Sequence, residues 1–132
     1  MHQPIRVVIA DDHELFASAL SMFLASERRL EVIGTASNGA DAIDLAVAED
    51  ADVVLLDVTM PGLDGFETTR RLLTIRPDAR VVLVTGLERP DLAEQARAAG
   101  AVGFVLKDRV TQDVVDAVLT AVELPQPARP RT

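Results

Sequence analysis

Three observations in this chain predict an α/β fold built on a parallel sheet. Apolar, β-branched runs alternate with stretches of helical periodicity about five times. The runs at Val53–Leu56 and Val81–Val84 are continuous rather than alternating, which suits strands covered on both faces. The connections are short, so successive strands are joined by helices that lie on both faces of the sheet.

Ile5–Ala10, interrupted only by Arg6, is the first strand and ends at Asp11-Asp12. From His13 the period changes: Phe16, Ala19, Leu20, Phe23 and Leu24 share one face of an amphipathic helix, which gives way to the charged Glu27-Arg28-Arg29. Leu30–Ala36 is a second strand; Asn38-Gly39 is a turn or cap before a helix with Ala42, Ile43, Ala46 and Val47 facing inward. Val53–Leu56 ends at Asp57, and Pro61-Gly62 sets a turn in which proline fixes one φ and glycine accepts a positive one. Gly65 opens a helix carrying Phe66, Thr69, Leu72 and Leu73, stopped before Pro77. Val81–Val84 runs to Thr85-Gly86, Pro90–Ala99 is an alanine-rich helix ended by Gly100, and Gly103–Leu106 leads to Lys107-Asp108. Thr111 is placed to cap a last helix whose Val114, Val115, Val118, Leu119 and Val122 face the core. Leu87–Leu92, dominated by charge and proline, reads as the most mobile segment.

The 132 residues correspond to one domain over 1–124, with a proline- and arginine-rich linker or tail over 125–132. Hydrophobic residues make up 48%, enough for a packed core, and there is no cysteine, which excludes disulfides and thiolate metal sites. No apolar run approaches transmembrane length and no signal pattern opens the chain, so a soluble cytoplasmic protein is expected, without a membrane partner. A net charge of −8 without a basic run argues against nucleic-acid binding by this domain itself.

Four of the five strand ends carry polar residues: Asp11-Asp12, Asp57, Thr85 and Lys107. In a parallel sheet these ends share one edge, where open α/β sheets keep their chemistry. Each alone has a plain structural reading. The acids at 11 and 12 could serve the following helix, Asp57 could close a turn, Thr85 could simply end a strand, Lys107 could be solvated, and Phe104 could be core. His2 and His13 are not spaced as a metal pair and read as incidental. Converging carboxylates, however, repel one another and tolerate proximity best around a hard divalent cation such as Mg²⁺. A lysine beside them is fit to pair with a carboxylate or a phosphoryl oxygen.

The segments Val-Val-Ile-Ala-Asp-Asp-His-Glu, Val-Val-Leu-Leu-Asp-Val-Thr-Met-Pro-Gly-Leu-Asp-Gly, Val-Val-Leu-Val-Thr-Gly and Gly-Ala-Val-Gly-Phe-Val-Leu-Lys-Asp occur in this order. Together they make the chain resemble the receiver domain of bacterial two-component response regulators, from Ile5 to Leu124. The resemblance implies a flavodoxin-like, CheY-like five-stranded parallel sheet of order 2-1-3-4-5. It implies that Asp57 accepts a phosphoryl group from a sensor histidine kinase and that Asp11, Asp12, Asp57 and the backbone carbonyl of Thr59 hold Mg²⁺. It further implies that Lys107 neutralises the phosphoryl, and that Thr85 and Phe104 form the switch. Such a domain catalyses its own phosphorylation and dephosphorylation and is not a turnover enzyme. A homodimer is compatible with the family. Asp108 stands where proline often follows the lysine, a variant similar to the LuxR/NarL-type branch whose receivers precede a DNA-binding helix-turn-helix domain. Phe104 replaces the frequent tyrosine and so removes a hydroxyl from the switch.

Rival readings are weaker. A haloacid-dehalogenase-type phosphatase would want an acid two residues after Asp57, where Thr59 stands. A nucleotide or flavin module would want a glycine- or hydroxyl-rich loop after the first strand, not Asp11-Asp12-His13-Glu14. The serious alternative is a stand-alone or pseudo-receiver that works as a protein interaction module.

Overall fold

The apolar runs form five parallel strands in the order β2-β1-β3-β4-β5 in a computed structural model that describes residues 3–86 and 89–123. The strands are β1 (Ile5–Ala10), β2 (Leu30–Ala36), β3 (Val53–Asp57), β4 (Arg80–Thr85) and β5 (Gly103–Leu106). The helices are α1 (Glu14–Ala25), α2 (Gly39–Ala48), α3 (Gly65–Ile75), α4 (Leu92–Ala99) and α5 (Val110–Glu123). The expected fold class and strand order are those observed.

Because strand side chains alternate between faces, the sheet separates two cores. Val7, Ile9, Val53, Leu55, Val82 and Val84 pack with Leu20 and Leu24 of α1 and Val114 and Val118 of α5. Their neighbours Val8, Val54, Leu56 and Leu83 pack with Ile43 of α2, Leu72 of α3 and Ala96 of α4. β3 is central, and all five of its residues, Asp57 included, are buried. The unbroken apolar run is thus the mark of a strand with helices on either side.

Two glycines shape the segment after β3. Gly62 adopts φ +79°, the conformation expected of it after Pro61. At Gly65 an added Cβ would lie 2.5 Å from the Asp57 carbonyl oxygen and 2.7 Å from Val58 Cα, so only glycine lets α3 start against the end of β3. Asp64 caps that helix by accepting a bond from the Glu67 N–H at 2.8 Å, and Asn38 caps α2 in the same way through the Asp41 N–H. Gly100 ends α4 in the left-handed conformation, as expected.

Several expectations are corrected. Thr111 does not cap the last helix: a 3-10 turn, Lys107–Arg109, carries the chain from β5 straight into α5, so Thr111 already lies inside it. The inward face of α1 is Ala17, Leu20 and Leu24, with Phe16 and Phe23 half-buried and Ala19 exposed. The face inferred from periodicity is therefore borne out at Phe16, Leu20, Phe23 and Leu24, and only Ala19 gives its place to Ala17. Pro90 and Asp91 form a turn before α4 rather than its first residues. Of the segment read as mobile, Leu87 and Glu88 lie outside the described residues. In its remainder Arg89, Pro90 and Asp91 are exposed, Leu92 is buried, and the Arg89 guanidinium donates to Gln95 Oε1 at 2.7 Å. The tail at 125–132 also lies outside the described residues.

Candidate functional site

The carboxyl ends of β1, β3, β4 and β5 bring Asp11, Asp57, Thr85 and Lys107 to one edge of the sheet, as the strand-end pattern predicts. Asp57, Thr85 and Lys107 line a common cavity of about 570 Å³ with Thr59, Gly86, His13, Leu15 and Phe16. Asp11 and Asp12 lie beside it: one donor atom from each of Asp11, Asp12, His13 and Asp57 lies within 4.8 Å of all the others.

Asp57 is buried, 3% exposed, at the end of the central strand. Its Oδ1 accepts a long bond, 3.4 Å, from the Thr59 N–H. Its Oδ2 is buried without a hydrogen bond, and the Lys107 ammonium stands 3.7 Å away. Burial pushes the Asp57 carboxyl up to about 6; the negative charges of Asp11 and, more weakly, Asp12 add to this, while Lys107 and the Thr59 N–H oppose it.

Asp11 is equally buried but differently served. Its Oδ1 accepts the His13 backbone N–H at 2.8 Å, and its Oδ2 lies 2.8 Å from Lys107 Nζ, an ion pair without hydrogen-bond geometry. Neither Asp11 nor Asp12 caps α1; the residue at the cap is His13, which makes no side-chain cap bond. Lys107, 19% exposed, is therefore no solvated lysine. Its ammonium also lies 4.5 Å from the centroid of the Phe16 ring, a cation–π contact that fixes the lysine over the cavity.

Asp12 is exposed at the rim, with Oδ1 3.5 Å from His13 Nδ1. Thr59 is exposed directly beyond β3, and Thr85 is buried at the end of β4. Phe104, paired with Leu83 in the β4–β5 ladder, is 38% exposed instead of buried in the core. His13 is the clearest correction: read as incidental, it belongs to the acid cluster. Phe16 was read only as a core-facing helix residue. Both are separated from the acid pair by less than two helical turns, and that proximity was the available signal.

Three carboxylates thus face one lysine and one imidazole. A buried carboxylate oxygen lacking a hydrogen bond, flanked by two more acids, is a fit for a divalent cation and not for an anion. The orphaned Oδ2 of Asp57 and the oxygen donor set together meet that requirement. With Lys107 opposite, the same pocket can hold the charge of a tetrahedral oxyanion group on Asp57.

Comparison with known proteins agrees with this geometry. The sequence profile of the response regulator receiver domain matches residues 7–125. The chain is 40% identical over 114 residues to the response regulator GacA of Pseudomonas aeruginosa, covering 86% of this chain and 53% of that protein. It is 35% identical over 117 residues to the transcriptional regulatory protein LiaR of Bacillus subtilis, covering 89% and 56%. The solved signal receiver domain of the putative response regulator NarL from Mycobacterium tuberculosis superposes with a TM-score of 0.87 at 36% identity, covering 92% of this chain and 98% of that one. The chain spans about half the length of the curated relatives it matches. Sequence profile, fold and strand-end site coincide, and the chain belongs to the response regulator receiver domain family, with relatives of the LuxR/NarL type.

Proposed function

We propose that Asp57 is the phosphoacceptor of this receiver and that a sensor histidine kinase is the donor. The observation that carries the reading is the Asp57 Oδ2 atom, buried at the end of the central strand, without a hydrogen bond and within reach of Lys107. Family membership makes the chain a regulatory module rather than an enzyme that turns over an external substrate. In the proposed step an Asp57 carboxylate oxygen bonds the phosphorus and the P–N bond of the phosphohistidine breaks. The electron pair of that bond leaves with the imidazole. Lys107 neutralises charge on the transferring group, a mainly electrostatic contribution. Asp11, Asp12, Asp57 and the backbone carbonyl of Thr59 would hold Mg²⁺. Its charge, when present, offsets the crowded carboxylates and the phosphoryl oxygens.

Once Asp57 is modified, Thr85, which lines the same cavity, reaches toward the new phosphoryl oxygens, and Phe104 turns inward from its exposed position. A covalent event at Asp57 would then change the surface at β4 and β5. Residues 1–124 form the receiver and 125–132 a linker to a DNA-binding helix-turn-helix domain, through which a cytoplasmic protein would control transcription. A homodimer is compatible with this reading. The extent of the match supports it, since it spans only about half of the length of relatives of this type.

The test is intact mass after incubation with acetyl phosphate and Mg²⁺. One phosphoryl adduct is expected on the wild type and none on Asp57→Asn or without Mg²⁺. No adduct on folded protein, together with no spectral response to the beryllofluoride mimic, would favour a pseudo-receiver that acts by binding other proteins.

A further inference from the structure

The proposed phosphotransfer leaves one metal-ligating side chain of the site unused. His13 sits at the cap of α1 with φ −87° and ψ 97°, makes no side-chain bond to the helix, and turns its imidazole onto the acids. Its Nδ1 lies 3.2 Å from Asp11 Oδ1 and 3.5 Å from Asp12 Oδ1. Two donor atoms sharing one ion at about 2.1 Å in octahedral geometry lie about 3 Å apart, so these spacings are close to those of neighbouring ligands. The side chain is 69% exposed, so small adjustments of the ring meet no packed neighbour on its solvent side. Asp57 lines the same cavity as His13, and its buried Oδ2 makes no hydrogen bond.

We propose that His13 is a fourth side-chain donor, which gives the site a mixed oxygen and nitrogen set that binds first-row transition dications more tightly than Mg²⁺. This rests on the reading that Asp11, Asp12 and Asp57 hold a divalent cation. Carboxylate oxygens serve Mg²⁺ well and imidazole adds little to it. Imidazole nitrogen is a borderline donor whose contribution grows along the series from Mn²⁺ to Cu²⁺ and stays large for Zn²⁺. The same four residues therefore discriminate between ions by donor type and not by charge alone.

The intact 132-residue chain is titrated by calorimetry with MgCl₂ and separately with CoCl₂, as wild type, His13→Asn, His2→Asn and Asp11→Asn. Asparagine keeps a residue suited to the helix cap at 13. Expected for the wild type is Co²⁺ binding at least about tenfold tighter than Mg²⁺. His13→Asn should lose about tenfold in Co²⁺ affinity while Mg²⁺ affinity stays within about twofold. The proton spectrum of the Co²⁺-loaded wild type should show a hyperfine-shifted exchangeable imidazole resonance that His2→Asn keeps and His13→Asn lacks. Unchanged Co²⁺ affinity in His13→Asn, or an equal loss for both ions, would overturn the role of His13. Mg²⁺ binding that Asp11→Asn abolishes would keep the cation site in that event. Absence of binding for both ions would overturn the site and the His13 proposal together.

Discussion

The two edges of the sheet carry charge in opposite ways. At the amino edge the Arg6 guanidinium donates to the Glu49 carbonyl at 2.8 and 3.2 Å and lies 3.6 Å from Glu31 and 3.7 Å from the Glu49 carboxylate. The Arg6 N–H donates to Asp52, and Arg76 pairs with both Asp50 and Asp78. The carboxylates of these pairs are exposed to water, and the bond from Arg76 holds the Asp78 carboxyl below its ordinary range. At the carboxyl edge three acids share one lysine and one imidazole, and burial drives Asp57 the other way, up to about 6. A charge cluster that serves the fold pairs its acids with guanidiniums and leaves the carboxylates open to solvent. The cluster at β1, β3 and β5 does not, and it keeps a carboxylate oxygen buried without a hydrogen bond. A site that stores such unfavourable electrostatics has something to gain from a cation or a covalent change.

Substitutions at the two edges should therefore differ in sign and size. The largest effect is expected for Lys107→Ala, which leaves Asp11 and Asp57 facing each other without a cation. Removing one partner of a buried pair costs several kcal/mol, and with Lys107 partly exposed a loss of about 2–3 kcal/mol is expected in metal-free buffer. Urea denaturation followed by far-UV circular dichroism reads it, the chain having no Trp or Tyr. Added Mg²⁺ should restore most of the loss, and a cost indifferent to Mg²⁺ would mean that the lysine serves only packing.

Asp57→Asn should act in the opposite direction and stabilise the metal-free protein. The Asp57 carboxyl is raised from 3.8 to about 6, so ionising it is harder in the folded than in the unfolded chain. Its cost is absent below the unfolded value, grows as pH rises through this window, and is complete above about 6. At pH 7.5 the variant should gain about 2 kcal/mol, and the gain should shrink as pH falls from 6 towards 4. A gain that is the same at pH 4.5 and 7.5 would remove burial of the charge as its source.

The smallest change is expected at the amino edge. Arg76→Gln should have the smallest effect of the three, because ion pairs open to solvent are weak, and 0.5 M NaCl should erase much of the difference. A loss as large as that of Lys107→Ala would dissolve the contrast between the edges.

Much of this was legible in the residues taken in order. The bounds of β1, β2 and β5 are those expected from the residues in order, and the unbroken runs of β3 and β4 mark the strands buried along their length. Gly62, Gly65 and Gly100 carry their turns and close approach in their identity, because few other residues tolerate those backbones. The shared edge of Asp11, Asp57, Thr85 and Lys107 follows from parallel strands alone, whichever order they take.

What only the tertiary structure decided is how those side chains meet. Nothing local tells that Lys107 lies closer to Asp11 than to Asp57, since the choice depends on how the lysine at the end of β5 reaches past β4 to the ends of β3 and β1. His13 joins the acids and Phe16 meets the lysine because the packing of Ala17, Leu20 and Leu24 on the sheet sets the start of α1 beside the ends of β1 and β5. Thr111 lost its cap to a 3-10 turn that the joint between β5 and α5 imposes. Periodicity and turn chemistry are properties of neighbours along the chain. Distances between charges belong to contacts between distant segments, and only the packed molecule has them.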